Sequence, residues 1–407
     1  MDARRAVEQA ARDSYGRLLA FLAARFRDVA AAEDALGEAF RAALEAWPRS
    51  GVPDKPEAWL LTAARRRLID DARHARVQAD AAPTLLAVTE EAQVIASAQP
   101  AFPDERLKLL FICAHPAINA SARTPLMLQT VLGLDAARIA SAFLVQPAAM
   151  GQRLSRAKAK IRDAGIAFDV PEPSELPPRL DAVLDAIYAA YGSGWEDVAG
   201  ADPRRKGLAL EAIELGRLLL RLLPGEPEAQ GLLALMLHCE ARRAARRNAD
   251  GAYVPLSEQD VALWSTPMIE EAQQILVAAE HAGRIGRFQL EAAIQSVHAG
   301  RAWTGRTDWE SIALLYEGLV RLAPTIGALI GRAAAIAEAR GAEHGWVLLQ
   351  EVSVEAVAGY QPYWALAAHL LKRMGRMQES ADAYDRAIGL CEDPAMRDFL
   401  TGRRPAR

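Results

Sequence analysis

Cysteine is scarce in this chain of 407 residues: Cys113, Cys239 and Cys391 are its whole complement, odd in number and far apart. A disulfide scaffold is therefore not the organising device, and the free thiols fit a reducing cytosol. Aromatic residues make up only 6%. No run of about 18 apolar residues occurs, so nothing reads as a membrane span. The first residues carry Asp2, Glu8 and Asp13 and lack a secretory apolar core. The expected setting is cytoplasmic, with no membrane partner. An overall excess of one charge is lacking too, since 48 Lys and Arg stand against 52 Asp and Glu. Finally, the chain has no GxGxxG after a strand, no GxxxxGK[ST], no HExxH and no GxSxG. Cys113-Ala114-His115 supplies too few ligands for zinc, and His238-Cys239, in a leucine-rich run, reads as core at a helix end. The sequence thus predicts no enzyme, no metal and no cofactor.

What is present is helical. Apolar residues form 51% and charged residues 25%, the balance of a folded protein long enough for two or three domains. Ala, Leu, Arg and Glu recur at three- and four-residue spacing, and no long alternating run of β-branched residues interrupts them. Three breaks divide the pattern. Residues 47–59 hold three prolines and Gly51 between two apolar patterns, which predicts a loop. Residues 77–103 contain no Lys or Arg and end in prolines, which predicts a linker. Residues 169–178 hold four prolines in ten positions and mark a domain boundary. The expected order is a helical block over 1–76, the linker, a second block over 104–168, the Pro-rich joint 169–178, and a helical tract over 179–407.

Charge follows these divisions. Residues 1–170 hold 23 Lys and Arg against 20 Asp and Glu, the remainder 25 against 32, and 104–166 holds 9 against 4. A polyanion would therefore meet one region, not the whole surface. The tail resembles a helical repeat. In 361–394, Trp364, Gly375, Arg376, Ser380, Tyr384, Ala387 and Pro394 match a tetratricopeptide unit, and Pro224 and Pro324 end two earlier helices in the same way. A non-repeating helical bundle is the alternative.

Two blocks carry binding chemistry. In the second, Leu126, Leu128 and Val131 precede a break at Gly133, Asp135 is placed to cap a short helix with Ile139 inward, and Phe143-Leu144-Val145 form a turn. Pro147 suits the first turn of the next helix. There Met150, Leu154 and Ile161 make an apolar stripe, and Gln152, Arg153, Arg156, Lys158 and Lys160 occupy the other faces. This reads as a helix-turn-helix whose second helix enters a major groove, its first residues meeting bases and its later cations meeting phosphate. In the first block, the helix around Glu33, Asp34, Glu38 and Phe40 has an acidic edge that would repel DNA and needs a different partner. After the 47–59 loop, Arg65, Arg66, Arg67, Arg73 and Arg76 lie along one helix, a platform for phosphates and an unstacked base. Each feature by itself also fits a solvated helix surface.

In this order and spacing, the stretches 31–70, 104–168, 222–253, 286–299 and 308–324 resemble the extracytoplasmic-function type of bacterial RNA polymerase sigma factor. They are most similar to the subgroup with a long tetratricopeptide-like C-terminal extension. The resemblance implies an all-α protein of three parts: a sigma region 2 domain, a sigma region 4 helix-turn-helix domain and an α-solenoid. It implies that Glu33, Asp34, Glu38 and Phe40 dock on core RNA polymerase and that the 48–57 loop captures a flipped base of the minus-ten element. Arg65, Arg66, Arg67, Arg73 and Arg76 would lie along that promoter duplex, and 147–160 would read the minus-thirty-five element. The tail would be regulatory, with a protein or ligand as its partner. Gly37 stands where the acidic helix usually has glutamine, Arg138 where the reader has glutamate, and a second cysteine is missing beside Cys113. Two other readings of the residues stay open: a helix-turn-helix DNA regulator with a sensing solenoid that is no sigma subunit, and an adaptor working through its tail.

Overall fold

The computed structural model describes residues 3–79, 105–143, 145–169, 171–196 and 207–406. Among them the protein is all-α: helices follow one another, and one isolated bridge, Arg247 to Tyr253, is the sole trace of β-pairing. None of these helices is long and apolar enough to cross a membrane. The chain divides into two compact units, Met1–Ala190 and Tyr191–Arg407.

The two N-terminal blocks share one unit, and the Pro-rich stretch 169–178 does not separate units. It forms a short 3-10 turn, Pro173–Glu175, and runs directly into a helix over Pro177–Glu196 that spans the division. The physical reason is positional. Pro177 and Pro178 occupy a first helical turn, where the missing N–H leaves no bond unmade. Most of the expected linker lies outside the described residues.

In the first unit, α1 (Ala3–Phe26), α2 (Val29–Ser50) and α3 (Pro56–Ala79) pack on one another. The second group is α4 (Arg106–Cys113), α5 (Ala120–Thr130), α6 (Ala136–Ala142) and α7 (Pro147–Asp163). Helix α2 starts where Asp28 accepts the Ala31 N–H at 3.0 Å, a capping carboxylate. Its buried residues Val29, Ala32, Ala35, Leu36, Ala39, Ala43 and Trp47 recur every three or four positions and form one seam. The groups are joined by close backbone approach. A Cβ at Gly16 of α1 would stand 1.8 Å from the carbonyl oxygen of Val131, just past α5, so only glycine fits there. Helix α1 also packs on α4, and α2 on α7.

Past the division-spanning helix, here α8, the second unit contains α9 (Leu208–Leu222), α10 (Pro227–Glu240), α11 (Thr266–Glu280), α12 (Arg287–Ala299), α13 (Trp309–Leu322) and α14 (Ile326–Arg340). It ends with α15 (Ala342–Gln350), α16 (Gln361–Arg373), α17 (Met377–Gly389) and α18 (Pro394–Arg403). Packing runs between neighbours along the chain, with α10 touching both α11 and α12. A Cβ at Gly231 of α10 would lie 2.5 Å from the Gln289 nitrogen of α12, which explains a small residue at that crossing. Pro224 and Pro324 follow the ends of α9 and α13, as the sequence suggests. Helices α16 and α17 form the hairpin expected over 361–394. Gly375 takes φ +77 at its turn, and the buried Ser380 hydroxyl donates to the Ala368 carbonyl at 2.8 Å. Pro394 opens α18 and does not close α17.

Candidate functional site

The acidic edge of α2 splits into two environments. Asp34 and Glu38 face solvent, and Glu38 receives Arg41 at 2.6 Å, which holds its carboxyl below the usual value. Arg41 also reaches Glu45 at 2.8 Å. Glu33 instead turns into the unit and pairs with Lys158 of α7, both side chains largely covered. The half-buried Tyr15 titrates above its ordinary range, first through burial and then through Glu33. Phe40 is half-buried, its ring 6.4 Å from that of Tyr15. Of the four residues expected at a polymerase contact, two therefore face outward and two pack inward.

The loop is shorter than the sequence suggests. Pro48, Arg49 and Ser50 remain in α2, and the connection spans 51–55. A proline costs a helix one bond, and the turn after Pro48 is closed by others. The Gly51 N–H reaches the Trp47 carbonyl at 3.0 Å, and the Ser50 hydroxyl reaches that of Ala46 at 3.0 Å. Gly51, at φ +85, then turns the chain away. Beside this loop lies a cleft of about 780 Å³ lined by Ala3, Arg4, Leu44, Trp47, Pro48, Gly51 and Val52. Trp47 is buried, edge-on to Trp59 at 5.6 Å, and its indole N–H has no acceptor. Leu44 is 47% exposed despite being apolar. The lining is largely apolar and its Arg4 pairs with Glu8 at 3.4 Å, so the cleft suits a flat apolar ring. Sequence reasoning located the loop and missed the cleft, whose signal is Leu44 one turn before Trp47.

Along α3, Arg66, Arg67 and Arg73 are exposed and Arg65 is half-buried. Burial, and then Arg25, lower the Arg65 pKa. Arg67 pairs with Asp71 at 3.2 Å and Arg73 with Asp70 at 3.8 Å. These exposed pairs are worth little to stability. The side chain of Arg76 lies outside the described residues.

Helices α6 and α7, where the sequence predicts a helix-turn-helix, pack on each other. Asp135 accepts the Arg138 N–H at 2.9 Å, capping α6, and Pro147 sits in the first turn of α7. Met150, Leu154, Ala157 and Ile161 are the buried stripe. Gln152, Arg156 and Lys160 are exposed, and Arg156 donates to Gln152 at 3.4 Å. Arg153 is half-buried and donates to the Ser121 carbonyl at 3.3 Å. Lys158 faces Glu33. The five expected DNA contacts thus divide into three outward groups, one tethered arginine and one lysine already paired.

Cys113 and His115 do not converge. The Cys113 thiol lies 3.5 Å from the Thr130 hydroxyl, and burial pushes its pKa up to about 12. His115 accepts the Ala117 N–H at 3.1 Å through Nδ1.

Comparison with known proteins adds the following. Residues 11–77 match sigma-70 region 2, and residues 179–280 match a family of unknown function (DUF6596). An uncharacterized protein of Rhizobium meliloti (strain 1021) is 40% identical over 381 residues, covering 92% of this chain and 89% of the relative. No solved structure matches.

Proposed function

We propose a function that proceeds from this premise: the chain belongs to one family with the Rhizobium meliloti protein, and its N-terminal helices are a sigma-70 region 2. Such a region implies binding to core RNA polymerase and promoter DNA, and a part in transcription initiation. Within that role, our reading is a sigma factor of the extracytoplasmic-function type, with no active site of its own. The outward edge of α2, at Asp34 and Glu38, docks on the polymerase. The cleft beside 51–55 receives an unstacked promoter base, α3 follows the duplex, and α7 reads the upstream element. The Tyr191–Arg407 unit is a tetratricopeptide-like regulatory part in this reading.

The observation that supports the proposal is the packing of α6 on α7 in the same compact unit as region 2, which we read as a helix-turn-helix. Its buried stripe points inward, and Gln152, Arg156 and Lys160 point outward where a groove could meet them. The Glu33–Lys158 pair joins α2 to α7 and leaves these outward groups for the two partners.

The test is transcription in vitro with purified core polymerase and promoters recovered from cells. A sigma factor yields a defined start site that core enzyme alone does not. A DNA regulator that is no sigma subunit would protect DNA without polymerase and yield no start site, and that pattern would refute the proposal.

A further inference from the structure

Beyond the end of α10, the second unit gathers positive charge in its interior. Arg242 is only 6% exposed. Its Nη2 donates to Oε1 of Gln295 on α12 and lies 3.9 Å from the Cys239 sulfur, while Nη1 is buried with no acceptor. Both of those partners are neutral. The guanidinium carbon lies 5.9 Å from the centre of the Trp264 ring, and that of Arg301 lies 4.9 Å from the same ring. Arg301 spends its donors on the carbonyls of Leu256, Ser257 and Gln259, at 2.9, 2.8 and 2.7 Å, so its charge is likewise met by dipoles.

Other polar groups converge there. The Trp264 N–H is buried without an acceptor. His238, fully buried at the end of α10, has no partner at either ring nitrogen. His298 of α12 is pushed down to about 3 by burial and then by Arg242 and Arg301, a sign of the positive field at this place. The acids of the neighbourhood are committed elsewhere. Glu240 holds Arg243 at 2.6 Å, Glu291 holds Arg287 at 2.8 Å, and Asp393 pairs with Arg247.

A buried guanidinium is ordinarily matched by an anion, because neutral acceptors do not repay its lost hydration. Its planar fork fits the two oxygens of a carboxylate or phosphate. We propose that Arg242, Gln295 and Trp264 form an oxyanion-binding site in the second unit, with Arg301 adding to its positive field. The ligand presents a compact carboxylate or phosphate group, gripped by the Arg242 fork. This inference is independent of the role assigned to the first unit.

Thermal melting of the full chain tests it, at one pH and matched ionic strength, in sodium phosphate, sodium acetate or sodium chloride. The expected result is a saturable rise of several degrees in phosphate or acetate over chloride, the responding salt telling which group the site takes. Arg242→Gln removes that rise, which separates the site from arginines elsewhere that attract phosphate. Gln295→Glu offers Arg242 a carboxylate from within, so this variant melts higher than the parent in chloride and no longer responds to either oxyanion. Identical melting in all three salts overturns the proposal. So does an oxyanion response of parental size in Arg242→Gln or in Gln295→Glu, the second covering the case in which the first does not fold.

Discussion

Two glycines in neighbouring helices show how differently one residue type can act. Gly37 of α2 is exposed, with nothing within 4 Å of where a Cβ would stand, whereas a Cβ at Gly16 of α1 would come within 1.8 Å of the Val131 carbonyl oxygen. Gly37→Ala should therefore stabilise the protein by up to about 1 kcal/mol through helix propensity. Gly16→Val should cost about 1–3 kcal/mol or more, because it forces α1 off the end of α5. Urea unfolding of both variants checks the pair, and a neutral Gly16→Val would remove that contact from the fold. A second single-residue effect is acid sensitivity. Burial, and then Arg242, lower His238 to about 4, below the free value near 6.5. Between those values the unfolded chain binds more protons than the folded one, so stability falls as pH drops below about 6.5. The loss from this one group between pH 7 and 5 is roughly 2 kcal/mol. His238→Leu, which breaks no hydrogen bond, should flatten that part of the pH–stability curve, and an unchanged curve would exclude His238 as its source.

Single helices were largely legible in the sequence, because their determinants lie within a few residues of one another. Met150, Leu154 and Ile161 share a face by spacing, Asp135 caps α6, and Pro147 opens α7. Contacts between helices were not legible. Glu33 and Lys158 are 125 positions apart, and both read as solvent-facing charges until α2 is packed on α7. The loop was overdrawn for a related reason. Pro48 looks like a breaker, yet Ser50 and Gly51 complete the last turn around it. These differences sharpen the functional test. Reversing Asp34 and Glu38 to lysine changes the outward edge of α2 without touching the Lys158 pair, and should weaken core polymerase binding at least several-fold. Glu33→Lys, by contrast, also loosens α2 from α7 and should lower the melting temperature. Arg153→Ala with Arg156→Ala should cut promoter-specific transcription and leave polymerase affinity intact. Binding assays and transcription run on the same preparations separate these outcomes, and loss of polymerase binding in the arginine pair would move α7 to the wrong interface.

For the molecule as a whole, the all-α class and the helical tail were readable from pattern. A proline cluster looks the same in sequence whether it ends a domain or starts a helix, and here Pro177 and Pro178 start α8. Net charge sets the last expectation. At −4 overall, the free protein has no general attraction for DNA, and the outward cations of α7 are few. Stable promoter contact should therefore need polymerase to hold α7 against the duplex, so footprints should be faint for the free chain and clear for the assembled enzyme. Once assembled, each phosphate neutralised releases counterions and steepens the dependence of affinity on salt. In the proposed reading Lys160, far along α7, meets phosphate, and Gln152, near its start, meets a base edge. Lys160→Ala should lower promoter affinity equally across sequences and reduce the slope of log affinity against log salt by about 1. Gln152→Ala should leave that slope unchanged and relax sequence choice at one position by about 1–3 kcal/mol. Salt titrations of the assembled enzyme on matched and altered promoters measure both, and an unaltered slope in Lys160→Ala would take this face of α7 off the DNA.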